Sequence, residues 1–134
     1  MLRNAIIAAL AAAAPLALGA SAALAAPPTG QSLYADNCSA CHQVTGKGVK
    51  GAFPALAGAP IVQGDGKVMA GVVINGRAGM PAFKDDLSDA ELTSILNYVR
   101  AAWGNKGKPV SFADISSVRA QSKAKAKTRG LQAH

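Results

Sequence analysis

The sequence predicts one small all-α domain with three main helices, and three observations favour this fold class. The 134 residues leave room for a single domain. Apolar residues recur at helical spacing between residues 92 and 103, whereas no alternating strand pattern surrounds the two cysteines. Only 4% of the residues are aromatic, so we expect a core that draws apolar mass from something besides side chains. Length and composition exclude a multidomain enzyme and a polytopic membrane protein.

Two helices are predicted in the first part of the domain. The first is expected over Gln31–Asn37, with Thr29 as its N-cap because a threonine oxygen accepts a free backbone N–H. Residues 44–66 are interrupted by glycines and prolines and predict a loop. A short helix is predicted over Lys67–Ile74, and the Asn75-Gly76 pair predicts a left-handed C-cap at its end.

The clearest helix is predicted over Ser88–Trp103. Ser88 and Glu91 have the spacing of a capping box. The apolar residues of this segment repeat at helical spacing, which leaves Arg100 and Asn97 on the outward side.

The C-terminal segment is basic. Residues 111–120 predict a short helix that begins with a capping box of Ser111 and Asp114. Residues 119–134 hold five basic residues and no acidic one, whereas residues 26–118 hold eight basic and seven acidic residues. Without apolar periodicity, this tail is expected to be disordered. It either contacts an acidic partner or an anionic membrane surface, or is simply solvated.

The first 25 residues predict a cleaved signal peptide. Arg3 lies in a short n-region, residues 5–18 form an uncharged apolar run, and Ala23-Leu24-Ala25 fits an A-x-A cleavage site. The alternative is an uncleaved membrane anchor. Cleavage would leave a domain over residues 26–118 that works in the periplasm.

The two cysteines lie in the box Cys38-Ser39-Ala40-Cys41-His42, which has the C-x-x-C-H pattern of c-type haem attachment. Two thiols three residues apart on one helical turn can add to the two vinyl groups of a haem. His42 then supplies an axial ligand to the iron from the same side. The pattern therefore predicts one covalent haem c.

Three alternatives compete for this box. A thioredoxin-like redox pair needs a βαβ context that the sequence lacks. A structural zinc site needs four ligands, and only Cys38, Cys41, His42 and the terminal His134 are present. A disulfide accounts for the two cysteines and leaves His42 unexplained.

The second axial ligand is predicted to be Met80. It lies in a glycine-containing loop, Gly76–Phe83, where the backbone can approach a cofactor closely and Pro81 stiffens the exit. Met69 lies in a helical run and is expected to pack in the core. Arg77 is a candidate contact for a haem propionate, with a solvated side chain as the alternative.

The box, the segment Phe53-Pro54-Ala55-Leu56 and the Gly76–Phe83 loop resemble a class I monohaem cytochrome c. The similarity runs from about Gln31 to Trp103, and it implies helices wrapped around one haem. It also implies that the carbonyl of Pro54, twelve residues after His42, binds the other ring nitrogen of that histidine. Residues 103–110 resemble the end of cytochrome subunits of periplasmic dehydrogenases.

An iron held by His42 and Met80 has no open coordination position, which suits one-electron cycling between Fe(II) and Fe(III). We therefore expect an electron carrier and not an enzyme, with a periplasmic dehydrogenase as donor and a terminal oxidase or another cytochrome as acceptor. The alternatives are a tightly bound haem subunit of a dehydrogenase complex, a haem-based sensor and, last, a peroxidase. A nucleic-acid partner is not expected, because the body is almost neutral.

Overall fold

A computed structural model describes residues 26–132, so the predicted signal peptide and His134 lie outside the described residues. The elements are α1 (Gly30–Asn37), α2 (Ser39–His42), α3 (Pro60–Gln63), α4 (Gly66–Asn75), α5 (Asp89–Ala101), a 3-10 turn (Ala102–Gly104) and α6 (Phe112–Gln132). The described residues contain no strand beyond two isolated bridges. The all-α prediction is confirmed, but there are four longer helices and not three.

Helices α1 and α5 cross at close range and form the centre of the fold. The Thr29 hydroxyl oxygen accepts the Ser32 N–H at 3.1 Å and caps α1, as predicted. Gly30 lies at the crossing, where a Cβ atom would stand 2.2 Å from the carbonyl oxygen of Ser94 on α5. Only glycine permits this approach of the two backbones.

Three aromatic side chains fill the space beside this crossing. Tyr34, Tyr98 and Trp103 contact one another, with ring centroids 5.1 to 5.6 Å apart in tilted or edge-on arrangements. Such geometries are favourable for aromatic pairs. Tyr34 and Trp103 therefore join α1 to the 3-10 turn that follows α5.

Helix α5 has the predicted capping box, in which Ser88 and Glu91 exchange hydrogen bonds. The prediction that Arg100 and Asn97 face outward is wrong. Arg100 is only 2% exposed, because the backbone segments around Gly64 and Lys108 fold over it and accept its hydrogen bonds. Asn97 is half-buried and exchanges two hydrogen bonds with the backbone of Val110.

The segment before α4 differs from the predicted loop, because residues 60–63 form the short helix α3. Pro60 at its first position has the φ that a helix start requires and needs no N–H partner there. Helix α4 is capped by Asp65, whose side chain accepts the Lys67 N–H at 2.8 Å. Gly76 follows with φ of +72° and ψ of 168°, so the positive φ agrees with the prediction while the conformation is extended and not left-handed helical.

The prediction that the tail is disordered is also wrong for residues 119–132, because α6 continues to Gln132. Ile115 is fully buried and Val118 packs against the core. These contacts anchor a helix whose later residues are mostly alanine, lysine and other good helix formers. The helix therefore propagates from a packed beginning without needing an apolar face along its whole length.

Arg119, which the sequence assigns to the tail, belongs to the folded body. Its guanidinium Nε lies 2.5 Å from a carboxylate oxygen of Asp89 at the start of α5, and the guanidinium also binds the carbonyls of Lys84 and Leu87. Ser116 donates to the other Asp89 oxygen at 2.7 Å. The Ser116 hydroxyl and the Arg119 guanidinium together hold the pKa of Asp89 below its ordinary value.

Helices α4 and α6 run parallel. Three contacts join them at one constant separation along the chain, 47 residues: the Lys67–Asp114 ion pair at 3.1 Å, the approach of Val118 to Gly71, and the Asn75–Ser122 hydrogen bond at 3.0 Å. A constant offset over two turns of helix is possible only when both chains advance in the same direction.

The core lies between α1, α4, α5 and α6. Its fully buried side chains include Tyr34, Ile74, Leu92, Leu96 and Ile115. Met69 is 5% exposed and belongs to this core, as predicted. Within residues 26–132, no helix combines the length and the apolar character needed to cross a membrane.

Candidate haem site

The cysteine box forms the junction between α1 and α2. Cys38 ends α1 by donating its N–H to the carbonyl of Tyr34, and its own carbonyl accepts the N–H groups of Cys41 at 3.3 Å and His42 at 3.0 Å. The box is therefore one helical turn, which places both thiols and the imidazole within that turn. Both cysteines are half-buried free thiols.

The surroundings of Cys38 change the acidity of its thiol. Burial, with a smaller contribution from Cys41, raises the pKa of Cys38 to about 11. The Cys38 thiol is therefore protonated at neutral pH and does not act as a ready thiolate. No group of three or more His, Cys, Asp and Glu side chains suited to a bare metal ion occurs among residues 26–132.

His42 is 8% exposed, and a backbone carbonyl group fixes the orientation of its ring. Its Nδ1 atom lies 2.9 Å from the carbonyl oxygen of Pro54, which is the contact that the family resemblance implies. For this pair to form a hydrogen bond, Nδ1 must carry the hydrogen, so Nε2 keeps its lone pair. A neutral imidazole in this tautomer is a suitable ligand for iron.

The second ring nitrogen of His42, Nε2, is accessible to solvent. Nε2 has no hydrogen-bond partner in the described part of the chain, and no side-chain nitrogen or oxygen that is fully buried there lacks a partner. The Nε2 atom must therefore be accessible to solvent. This geometry, together with two unpaired thiols in the same turn, fits a covalently attached haem.

The loop after the box holds Pro54 in place. The N–H of Gly48 donates to the His42 carbonyl at 2.9 Å, and the carbonyl of Gly46 accepts the N–H groups of Leu56 and Ala57. Both glycines have positive φ, +66° for Gly46 and +62° for Gly48. Short backbone bonds therefore connect the residues on both sides of Pro54 to the turn that carries His42.

Tyr34 supports this turn and Asn105 supports the loop that follows it, and the sequence predicted neither role. The Tyr34 hydroxyl donates to the carbonyl of Gln43 at 2.7 Å, directly after His42, and burial raises the pKa of Tyr34 to about 12. Asn105 is 5% exposed, and its side chain bonds the Gly58 N–H and the carbonyl of Leu56. No local pattern indicates the role of Asn105, because three of its four side-chain hydrogen bonds connect residues more than 40 positions apart.

Met80 lies in a tight turn on a different segment. Arg77 and Met80 exchange backbone hydrogen bonds of 3.2 and 3.0 Å. Gly76 has to be glycine here, since a Cβ atom would stand 2.7 Å from the Met80 carbonyl oxygen. Met80 is half-buried, whereas Arg77 is exposed and forms no ion pair with another described residue.

The structure thus brings Cys38, Cys41, His42 and the Pro54 carbonyl together in one assembly. Met80 and Arg77 share a second turn, which no hydrogen bond connects to the box among the described residues. A methionine bound to iron needs no such connection, because the ligand bond itself would join the two segments.

Comparison with known proteins gives the family. Residues 25–99 match the family described as cytochrome c oxidase, cbb3-type, subunit III. The chain is 38% identical over 103 residues to the cytochrome c subunit of a quinone alcohol dehydrogenase from Gluconobacter oxydans (strain 621H), a match that covers 67% of this chain and 22% of that subunit. It is 32% identical over 120 residues to the cytochrome c subunit of gluconate 2-dehydrogenase from Pantoea cypripedii, covering 79% and 26% of the two chains.

A smaller relative matches over most of its length. Cytochrome c-552 from Thermus thermophilus is 33% identical over 112 residues, which cover 69% of this chain and 85% of that protein. The chain spans only about a quarter of the dehydrogenase subunits, so the match there concerns one part of each subunit. The resemblance to a class I monohaem cytochrome c is confirmed. The chain belongs to the cytochrome c family that includes subunit III of cbb3-type cytochrome c oxidase, a family of electron-transfer proteins.

Proposed function

We propose that this protein is a one-electron carrier of the periplasm with a single haem c. The observation that carries the proposal is the hydrogen bond between His42 Nδ1 and the Pro54 carbonyl at 2.9 Å. It leaves Nε2 as the only ring nitrogen able to bind iron, next to two free thiols. When bound, haem c supplies an iron that changes between Fe(II) and Fe(III).

Each residue of the site has a separate role in holding the haem. Cys38 and Cys41 would hold the cofactor through thioethers, and His42 and Met80 would bind its iron. The Pro54 carbonyl fixes the imidazole plane and increases its donor strength. Methionine as the sixth ligand favours the reduced form relative to a second histidine. Arg77 is exposed beside Met80 and would pair with a propionate.

The protein passes electrons and catalyses no reaction of its own. A periplasmic dehydrogenase is the proposed donor, and a terminal oxidase or another cytochrome the acceptor. The support is the similarity to cytochrome subunits of an alcohol dehydrogenase and a gluconate dehydrogenase. Export by the cleaved segment 1–25 would place the protein with such partners.

A visible spectrum of the exported protein tests the proposal. We expect sharp reduced bands with dithionite, a weak far-red band from the Met80–iron bond in the oxidised form, and no change with carbon monoxide. Absence of haem after expression with a haem-attachment system would refute the proposal. A carbon monoxide shift in the wild type would favour the sensor instead.

Paired variants identify the ligand. Met80→Ala is expected to open a coordination position, so that the reduced protein binds carbon monoxide and the far-red band disappears. Met69→Leu is the matched control, because Met69 is buried in α4, and its spectrum is expected to equal that of the wild type. If Met69→Leu loses the far-red band and Met80→Ala retains it, the assignment is reversed.

A fixed haem subunit is the second candidate, favoured by the 38% identity to a dehydrogenase cytochrome subunit. Co-purification in the native host separates the two. A free carrier is expected to dissociate from its donor at high salt, whereas a fixed subunit remains bound through a larger apolar interface.

A further inference from the structure

The last part of α6, residues 123–132, forms a cationic arm. It carries Lys123, Lys125, Lys127 and Arg129 and no acidic residue, and all four basic side chains are exposed. None of the ion pairs within residues 26–132 involves any of them. Because the body is almost neutral, the arm concentrates most of the net charge of the described protein.

The register of α4 and α6 determines where this arm lies. The two helices are parallel, and a hydrogen bond between Asn75 and Ser122 joins them where α4 ends. Helix α4 ends at Asn75, whereas α6 continues to Gln132. At 1.5 Å per residue, the arm extends about 15 Å past the end of α4.

The end of α4 is also where the Met80 turn begins. Gly76 follows α4 directly, and Arg77, Ala78 and Gly79 are all exposed in the turn that presents Met80. We propose that the cationic arm is a docking surface for an acidic face of a redox protein, which it holds at the end of the molecule where the Met80 turn begins. This inference rests on the electron-carrier function proposed above.

The arm suits an acidic protein surface better than a membrane. Lys123 and Lys127 lie one turn apart on one side of the helix, and Lys125 and Arg129 lie one turn apart on another side. The arm has a single large apolar residue, Leu131, which is 72% exposed. A helix that lies in a membrane surface buries a continuous apolar face, and this arm has none.

Electrostatic docking also matches the needs of a carrier. Opposite charges on two proteins increase the association rate more than the final affinity, so that the partner can leave after transfer. A neutral body with a charged arm directs this attraction to one end of the molecule.

The test measures electron transfer to the full-length, haem-loaded protein from a purified acidic flavodoxin in its hydroquinone form. One electron leaves the hydroquinone, which becomes a semiquinone, and reduces one Fe(III). Two variants with the same net charge are compared. The arm variant is K123Q/K125Q/K127Q/R129Q, and the body variant is K47Q/K50Q/K106Q/K108Q, whose four side chains are exposed. Glutamine is a good helix former, so α6 is expected to persist, which far-UV circular dichroism checks.

At about 20 mM salt, the second-order rate of the arm variant is expected to fall about tenfold, and that of the body variant by less than about twofold. Raising the salt to about 300 mM should remove the difference from the wild type. Equal losses in both variants, or no loss in the arm variant, would overturn the proposal. So would arm-dependent binding to vesicles of phosphatidylcholine and phosphatidylglycerol together with unchanged flavodoxin rates, which would assign the arm to a membrane.

A separate readout distinguishes this inference from the electron-carrier function. Binding of fluorescently labelled flavodoxin to the same variants is measured by anisotropy, which requires no redox activity. A normal haem spectrum with arm-independent binding refutes the docking surface alone. Arm-dependent binding by a protein that carries no haem refutes the carrier function alone.

Discussion

Replacing Arg100 with leucine is expected to cost about 1.5–5 kcal/mol of folding free energy, a large part of the total stability of a domain this size. Arg100 is 2% exposed and has no carboxylate partner among the ion pairs of the described residues. Its guanidinium donates to three carbonyl oxygens, those of Lys108 at 2.6 Å, Val62 at 2.8 Å and Gly64 at 2.9 Å. One side chain of α5 therefore joins the end of α3 to the segment before α6.

The magnitude follows from the burial of each bond. The bond to Val62 is fully buried, and a charged donor there contributes about 1.5–3 kcal/mol. The bonds to Gly64 and Lys108 are partly exposed, so water can replace the donor, and each contributes about 0.5–1.5 kcal/mol. Leucine regains about 1 kcal/mol by burying apolar surface. The guanidinium fork reaches all three oxygens together, which the single ammonium group of a lysine cannot do.

Guanidinium chloride unfolding of the haem-loaded protein, followed by far-UV circular dichroism, measures the loss. Arg100→Leu is expected to lower the unfolding midpoint without changing the slope. The midpoint of Arg100→Lys should lie between those of Arg100→Leu and the wild type. Arg129→Leu, on the exposed arm, is the control and should change the free energy by no more than about 0.5 kcal/mol. A loss below about 1 kcal/mol for Arg100→Leu would show that the three carbonyls do not depend on this side chain.

Three other changes test the structure. Asn105→Ala removes four hydrogen bonds from a buried amide and is expected to cost about 2–4 kcal/mol in the same unfolding assay; an unchanged midpoint would contradict the positioning role. The lowered pKa of Asp89 stabilises the fold above the unfolded-state value of about 4, and this contribution is lost as pH falls through the folded value. Asp89→Asn should therefore be less stable than the wild type at neutral pH and lose less between neutral and acid pH, as followed by circular dichroism; parallel acid curves would argue against it. In Gly46→Ala the new Cβ would stand 2.4 Å from the Trp103 ring at φ +66°, whereas Gly51 has φ +82° and open space around it. Gly46→Ala is therefore expected to lose at least about 2 kcal/mol more folding free energy than Gly51→Ala. Equal losses would show that backbone strain, and not the contact with Trp103, determines the cost.

Much of the local structure could be predicted from the sequence. The capping box and apolar face of α5, the Thr29 cap and the core position of Met69 depend on residues a few positions apart. The haem box is also local, since its five residues form a single helical turn. Family resemblance extended this to the contact between His42 and Pro54, twelve residues apart, which a spacing rule alone does not explain.

The errors concern residues whose surroundings come from distant segments. Arg100 looks like an outward side chain on the pattern of α5, yet its acceptors at Val62 and Gly64 lie 38 and 36 residues earlier. The tail looks disordered because it lacks apolar periodicity. It is helical because Ile115 and Arg119 anchor its beginning to the body, and helix growth from an anchored turn costs little.

The sequence by itself determined the helical class and the separation of a neutral body from a basic C-terminal segment, and it predicted the residues that would hold the cofactor. Only the tertiary structure decided that α4 and α6 are parallel, that Arg100 and Asn105 are buried polar groups with several hydrogen-bond partners each, and that the basic segment is a helical arm that extends past the end of α4, where the Met80 turn begins. Capping, periodicity and the haem box depend on neighbours within one or two turns. Burial and register depend on contacts between segments about 40 residues apart, which no local pattern encodes.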